Sequence, residues 1–128
     1  MRLLLDTCTF LWLVSGAPEL SARARELFAD PDNDAYLSAV SAWEIAVKHG
    51  LGRLPLPDAP ERFVPTQPQQ HGIAPLPLDE ESALHLVRLS VLHKDPFDRM
   101  LVCQALVHGM TLLGPDPLIA QYPVRTAW

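Results

Sequence analysis

Four acidic residues, far apart in the chain, share one local context. Each follows a short apolar run or lies in the first part of a helical pattern, and they are Asp6, Glu44, Asp98 and Asp116. In an open α/β sheet the carboxyl ends of parallel strands meet at one edge, so we expect these residues to lie together. Carboxylates that are held close repel each other unless a cation lies among them. The pattern therefore predicts a site for a hard cation such as Mg²⁺, and with it chemistry at phosphate groups.

Helix capping is an alternative explanation for several of these acids taken singly. Asp6 and Asp116 are each of a type that caps the helix that follows. Glu44 completes a capping box if its helix begins at Ser41, and otherwise pairs with Lys48 one turn further along the surface. Capping does not require such residues to meet at one edge of a sheet, so the four together favour a shared site.

One of the four acids, Asp98, lies close to a further acid, Asp95, on the other side of Pro96. Asp95 precedes Pro96, which is favoured at the first helical position, so Asp95 is the expected N-cap. Asp98 shares a helical face with Val102 and Ala105, which have the pattern of core residues. A carboxylate over an apolar face needs a partner, and a metal ion is one such partner. Asp98 is therefore the stronger candidate ligand of the pair.

The elements that position these acids alternate between strands and helices. This order predicts a single-domain, three-layer α/β/α fold with a mainly parallel central sheet. The expected strands are residues 3–5, 35–37, 73–74, 111–113 and an edge or tail at 124–128. The expected helices are residues 9–14, 21–28, 38 or 41 to 49, 79–93, 97–108 and 116–122. Seven of the 13 prolines lie between Pro55 and Pro77, where we expect only a short broken helix near residues 61–64.

Length and composition fit one domain that spans residues 1–128. A hydrophobic content of 48% is enough for a core, and the formal net charge of −5 argues against a general nucleic-acid coat but not against catalysis on nucleic acid. The two cysteines, Cys8 and Cys103, lie in apolar helical surroundings outside any Cys-x-x-Cys pair, as expected in a reducing cytoplasm. No apolar run is long enough to span a membrane.

Four segments of the chain resemble the sequence motifs of the PIN-domain family, in particular the VapC-like toxins of toxin–antitoxin pairs. They are Leu3–Thr7, Leu37–Ile45, His93–Ala105 and Thr111–Asp116, in the family's order and at its usual length. The third segment is the most specific of the four. The resemblance implies a PIN-like α/β/α fold and a metal-dependent endoribonuclease that hydrolyses RNA phosphodiester bonds with metal-activated water.

The resemblance also assigns roles to single residues. It implies that the metal ligands and catalytic residues are Asp6, Glu44, Asp98 and Asp116, that Asp95 and Thr7 support them, and that the ion is Mg²⁺, with Mn²⁺ also suitable. The sequence departs from the family at Gly114, where a Thr or Ser is often found two residues before the last acid. This departure removes a hydroxyl group that could orient Asp116 or a water molecule.

The expected partners follow from the same resemblance. They are a cognate antitoxin protein, an RNA substrate and a second copy of the chain in a homodimer. An apolar surface at Phe10–Leu13 and a stiff wall at Pro55–Pro77 are candidates for the antitoxin contact. Basic residues close to the acidic motifs are candidate RNA contacts, although solvated surface charge is the simpler explanation for each: Lys48, Arg53, His93, Lys94 and Arg99.

Two other functions remain open at the level of sequence. A phosphatase of the haloacid-dehalogenase type would use Asp6 as a nucleophile, but such enzymes need a second aspartate two residues later, and this chain has Cys8. A PIN-like fold that only binds a partner is a non-catalytic alternative. The retention of all four acids argues against it.

Overall fold

The computed structural model describes residues 1–128 and contains one five-stranded sheet with the strand order β3-β2-β1-β4-β5. Every neighbouring pair of strands is parallel. The strands are β1 (Arg2–Leu5), β2 (Asp34–Ser38), β3 (Ala74–Leu76), β4 (Thr111–Leu113) and β5 (Thr126–Ala127). The helices are α1 (Thr7–Ser15), α2 (Ala22–Ala29), α3 (Ala39–Gly50), α4 (Pro60–Gln70), α5 (Glu80–His85), α6 (Pro96–His108) and α7 (Pro117–Ala120).

Helices cover both faces of the sheet, and the alternation of side chains along β1 shows how. Leu3 and Leu5 point to a core that also holds residues of α1, α2, α3 and α4. Leu4 points to the opposite core, which is built mainly from α6 and α7. All three leucines are fully buried. The single-domain, three-layer α/β/α prediction is confirmed, and the sheet is parallel throughout.

The central strands end next to each other at the edge where the acids lie. Leu5 of β1 is in register with Leu113 of β4, and the Asp6 amide donates to the Leu113 carbonyl at 3.2 Å. Asp6 therefore begins the loop from β1 to α1, while Asp116 lies in the loop that leaves β4. The strand order thus brings together two acids that are 110 positions apart in the numbering of the chain.

The proline-rich segment differs from its prediction. A short broken helix was expected near residues 61–64, but α4 is an 11-residue helix that contains Pro65 and Pro68. Each internal proline lacks one backbone donor. Phe63 anchors the helix in the core, where its ring packs edge-on against Phe10 with the ring centroids 6.2 Å apart. Tertiary packing of this kind overrides a poor local propensity.

The prediction of one continuous helix over residues 79–93 is wrong. Helix α5 ends at His85, one 3₁₀ turn follows at Leu86–Arg88, and no regular helix continues to residue 93. Leu84, Val87 and Val91 are exposed, so the apolar residues of this segment do not form one buried stripe. The chain turns where Leu89 enters the core, which stops the helical repeat early.

Three element boundaries also shift. Ser38 caps α3 by accepting from the Val40 amide at 3.0 Å, so the capping-box explanation for Glu44 that begins at Ser41 is wrong. Strand β3 starts at Ala74 and contains Pro75, as an edge strand permits. At the chain end only two residues join the sheet as β5. The structure contains no helix that combines the length and apolar character needed to cross a membrane.

Candidate active site

The four predicted acids come from four different elements around the carboxyl edge of the sheet. Asp6 follows β1, Glu44 lies in the middle of α3, Asp98 lies in the first turn of α6 and Asp116 immediately precedes α7. Asp6 and Glu44 are almost completely buried, at 4% and 5% exposure. Carboxylates that are buried away from solvent need hydrogen-bonding or oppositely charged partners, and these partners define the site.

Asp6 serves first as a helix cap. Its Oδ1 accepts a hydrogen bond from the Thr9 amide at 2.8 Å, and the Cys8 thiol lies 3.3 Å from the same oxygen. Its Oδ2 packs against Gly114, where an added Cβ would lie only 2.3 Å away. The glycine that departs from the family pattern therefore leaves room for the Asp6 carboxylate, and its lack of a side chain matters as much as the lost hydroxyl.

Glu44 is held by side chains from two elements. The Thr7 hydroxyl donates to Glu44 Oε1 at 2.7 Å and is also hydrogen-bonded to Ser41 Oγ at 2.9 Å. The Lys48 ammonium, one turn along α3, forms an ion pair with Glu44 Oε2. Thr7 thus contacts one of the acids that the resemblance expects it to support, and its supporting role stays a prediction. Ser41 completes this group, and the sequence analysis considered it only as a helix cap.

Asp98 is held at two points, because its backbone amide bonds to Asp95 and its carboxylate contacts His93. Asp95 caps α6 and accepts from the Phe97 and Asp98 amides at 2.9 and 3.0 Å, as predicted. The Asp98 carboxylate itself has a different partner, because its Oδ2 lies 3.3 Å from His93 Nε2. Asp116 caps α7 by accepting from the Leu118 amide at 2.8 Å. Capping and a shared site therefore coexist at this edge.

The acids influence each other through their charges. Burial raises the pKa of Asp6 above its ordinary value, and the nearby charge of Asp116 raises it further. Burial also raises the pKa of Asp98 to about 6, with additional contributions from the charges of Asp95, Asp116 and Glu44. These mutual effects place all four predicted acids in one electrostatic neighbourhood. A cluster of carboxylates with raised pKa values is typical of a functional site.

A cationic side chain lies in the same neighbourhood. The hydrogen bond to Glu44 raises the pKa of Lys48, and the charges of Glu44, Asp95 and Asp98 raise it further. Lys48 is therefore bound within the acidic cluster in this structure, although it was predicted as an RNA contact. Its ammonium partly offsets the repulsion that the sequence analysis attributed to the crowded acids.

The donor set fits a hard divalent cation by its chemistry. All four acids offer carboxylate oxygens, which are the ligands that Mg²⁺ prefers. In the present arrangement no three His, Cys, Asp or Glu side chains converge closely enough to hold one ion. Both oxygens of Glu44 are already bonded, whereas Asp98 Oδ1 makes no hydrogen bond. The residues thus suit the ion in kind and charge, and binding would need side-chain rotations and release of Lys48.

The other predicted RNA contacts differ in their surroundings. Arg53 and Lys94 are exposed, and both lie between Glu44 and Asp98 in the sequence. Arg99 donates to the Leu89 carbonyl at 3.4 Å, and its Nε is buried without a partner. His93 is only 8% exposed in its side chain, so it offers RNA little surface. Of the five, only Arg53 and Lys94 are exposed.

The arrangement around Asp6 disfavours the phosphatase alternative. Cys8 occupies the position where such an enzyme needs a second aspartate. Burial raises the pKa of its thiol to about 12, and the Asp6 charge contributes to the increase. A neutral thiol of this kind does not replace a carboxylic acid as a proton donor near neutral pH.

Fold and site together define an α/β protein with a carboxylate cluster at the carboxyl edge of a parallel sheet. The sequence profile of the PIN domain matches residues 3–123, so the chain belongs to the PIN domain family. A curated relative, Ribonuclease VapC16 of Mycobacterium tuberculosis, is 39% identical over 72 residues, which cover 53% of this chain and 51% of that protein. The chain thus matches about half the length of this relative.

Solved structures with the same fold are more distant in sequence. The VapBC2 structure from Rickettsia felis, bound to a promoter DNA fragment, aligns with a TM-score of 0.74 at 13% identity and covers 99% of this chain and 98% of that one. VapBC-5 of Mycobacterium tuberculosis, a member of the VapBC family of toxin-antitoxin systems, aligns with a TM-score of 0.57 at 19% identity, covering 94% and 89% of the two chains. At these identities the likeness establishes the fold.

Proposed function

We propose that this protein is a metal-dependent endoribonuclease and the toxin of a toxin–antitoxin pair. The observation that carries the proposal is the cluster formed by Asp6, Glu44, Asp98 and Asp116, in which burial and the charge of Asp116 raise the pKa of Asp6, and burial and the charges of Asp95, Asp116 and Glu44 raise the pKa of Asp98. The similarity of the chain to a relative named as a ribonuclease supports RNA as the substrate.

The residues of the cluster would have separate roles in binding the metal ion and in positioning its ligands. Asp6, Asp98 and Asp116 would hold Mg²⁺ or Mn²⁺, and Glu44 would join them once Lys48 is released. When bound, the ion would supply an activated water and neutralise charge on the phosphate oxygens. Thr7 fixes the orientation of Glu44, and Gly114 leaves room for Asp6.

The RNA strand would approach along the exposed basic side chains. Arg53 and Lys94 would contact phosphates and so position the strand without reading its sequence. Because the net charge is −5, binding would depend on these local contacts and on the ion, and it would weaken as salt increases.

A cleavage assay with purified protein tests the proposal. We expect a single-stranded RNA to be cut in Mg²⁺, to remain intact in EDTA, and to remain intact with Asp6→Asn protein in Mg²⁺. Asp32→Asn is the control, because Asp32 is an exposed turn residue outside the cluster. If the wild-type and Asp6→Asn proteins both leave RNA intact while still binding a partner, the non-catalytic alternative is correct.

The antitoxin contact is proposed at a groove next to α1. Phe10 is fully buried, whereas Leu11, Trp12 and Val14 are only partly buried. A groove of about 490 Å³ lies between this helix and the start of the proline-rich segment, and its lining includes Leu11, Trp12, Pro55 and Pro57. The first helix and the proline-rich segment, which the sequence analysis proposed as antitoxin contacts, thus line one groove. The structural neighbours that carry the VapBC name support an antitoxin as the occupant of this groove.

Co-expression tests this contact. The product of the neighbouring reading frame should co-purify with the wild-type chain and suppress its ribonuclease activity. Trp12→Glu should release that product, whereas Leu84→Glu, a change at an exposed leucine outside the groove and outside α3, should not. A chain that has no such neighbour and is harmless on overexpression contradicts the toxin assignment but leaves the nuclease assignment intact.

A homodimer is proposed through α3. Trp43, Val47 and Leu51 lie four residues apart and are all exposed, which forms an apolar stripe along one face of the helix and its cap. Burying the stripe against a second copy would remove it from water. Light scattering tests this: Leu51→Glu should give monomers, and Leu78→Glu, at an exposed leucine outside α3, should not. A wild-type monomer at high concentration contradicts the dimer.

A further inference from the structure

Tyr122 and His93 form a hydrogen-bonded chain that ends on a proposed metal ligand. The Tyr122 hydroxyl lies 2.8 Å from His93 Nδ1, and His93 Nε2 lies 3.3 Å from Asp98 Oδ2. The two rings pack edge to face with their centroids 5.4 Å apart. Tyr122 is 3% exposed and the His93 side chain 8%, so both rings are fixed by their surroundings.

The hydrogen bonds of Tyr122 fit an arrangement in which His93 carries its proton on Nε2. The backbone amide of His93 donates to the Tyr122 oxygen at 3.3 Å, which leaves the hydroxyl proton of Tyr122 free to be donated to Nδ1. A neutral imidazole that accepts at Nδ1 carries its proton on Nε2. That N–H points to Asp98 and donates to its Oδ2.

The consequence for Asp98 is a fixed orientation. One of its oxygens is bonded to His93, and the other, Oδ1, has no hydrogen-bond partner in the structure. Residues that hydrogen-bond to a metal ligand and orient it strongly affect the affinity of the site for the ion.

We propose that Tyr122 and His93 are positioning residues for Asp98, which hold its carboxylate turned with Oδ1 free for a metal ion. This inference rests on the proposed function. It differs from the sequence-based role of His93 as an RNA contact, and it adds Tyr122, which lies 29 positions away and belongs to no motif.

Tyr122→Phe is the direct test, because it removes only the hydroxyl group. Tyr36→Phe is the matched control, since Tyr36 is the other tyrosine of the chain, is partly buried in the same core and makes no hydrogen bond through its hydroxyl. Tyr122→Phe should weaken Mn²⁺ binding, measured by titration calorimetry, about 10-fold. It should lower kcat for RNA by a similar factor while KM stays within about twofold. Tyr36→Phe should change neither quantity.

Substitution at His93 separates positioning from packing. His93→Gln retains an N–H donor where Nε2 lies, whereas His93→Ala retains none. The glutamine variant should therefore recover most of the Mn²⁺ affinity that the alanine variant loses. Equal losses in both variants, with equal melting temperatures, contradict the role assigned to the Nε2 donor.

A third measurement needs neither metal nor RNA. Nitrogen-15 NMR of the wild-type protein at mildly alkaline pH should show His93 in the Nε2–H tautomer, and Tyr122→Phe should lose this strict preference. The Nδ1–H tautomer in the wild type overturns the proposal, as does Tyr122→Phe protein with wild-type Mn²⁺ affinity and kcat. Wild-type protein that binds Mn²⁺ but leaves RNA intact refutes only the ribonuclease function. Wild-type protein that binds no Mn²⁺ overturns both.

Discussion

Replacement of Gly114 by alanine should disable the site through a steric effect on Asp6. An added Cβ at this position would lie 2.3 Å from Asp6 Oδ2 and 2.6 Å from its Cγ. Ordinary contact begins near 3.4 Å, so the carboxylate must move by about 1 Å or more. Gly114 has no left-handed backbone conformation, so the substitution probes space rather than backbone strain.

The movement of Asp6 has a calculable cost. Its Oδ1 caps α1 through the 2.8 Å bond from the Thr9 amide, and loss of an aspartate cap costs about 0.5–2 kcal/mol. For a chain of this length that corresponds to a decrease in Tm of roughly 3–6 °C per kcal/mol. Activity should fall further than stability, because a displacement of about 1 Å at a catalytic group can cost roughly 100-fold.

Two measurements on matched variants check this prediction. Gly50→Ala is the control, because Gly50 ends α3 and an added Cβ there meets nothing within 4 Å. Calorimetry should show a lower Tm for Gly114→Ala only, and the RNA cleavage assay should show a large loss for the same variant. If Gly114→Ala melts and cleaves like the wild type, the Asp6 carboxylate does not lie against residue 114 and the geometry of the site is wrong.

Three further predictions concern ligands, metal and pH. Asp98→Asn should abolish cleavage without loss of fold, while Asp95→Asn should keep more activity and lose only cap stability; equal losses of activity would show that the ligand of the pair was misassigned. Mg²⁺ at about 100 times its dissociation constant should add roughly 2.7 kcal/mol to the free energy of unfolding, and identical melting curves in EDTA and in Mg²⁺ would argue against a metal site. The pKa of Asp98, about 6, is higher than in the unfolded chain, so the folded protein binds this proton more tightly. In EDTA its contribution of about 3 kcal/mol should therefore be present below pH of about 4 and be lost as pH rises to about 6, and Asp98→Asn should flatten this part of the curve of stability against pH.

The sequence was most informative where pattern and position agreed. The apolar run Leu3–Leu5 followed by Asp6 identified the central strand and its acidic end, and the order of elements identified a parallel sheet. Asp95 was correctly predicted as the cap of α6, because Pro96 marks the first position of that helix. In these cases the deciding interactions are local, so a single stretch of sequence contains them.

Other features depend on contacts between distant segments. Helix α4 runs through Pro65 and Pro68 because Phe63 is anchored against Phe10, which lies in α1. The link from Tyr122 to Asp98 passes through His93, whose motif does not indicate a contact with Tyr122. The steric role of Gly114 likewise depends on Asp6, which follows the neighbouring strand β1 and whose Oδ2 would lie 2.3 Å from a Cβ added at residue 114. No residue pattern within one segment indicates these contacts.

Anomalous diffraction from crystals soaked in Mn²⁺ tests the central claim most directly, because it locates the ion independently of activity. The account predicts a peak within coordination distance, about 2.0–2.2 Å, of carboxylate oxygens of Asp6 and Asp98. It also predicts that the Lys48 ammonium has moved away from Glu44. No peak at saturating Mn²⁺, or a peak at surface acids with the Lys48–Glu44 pair intact, would contradict a metal centre at this edge of the sheet.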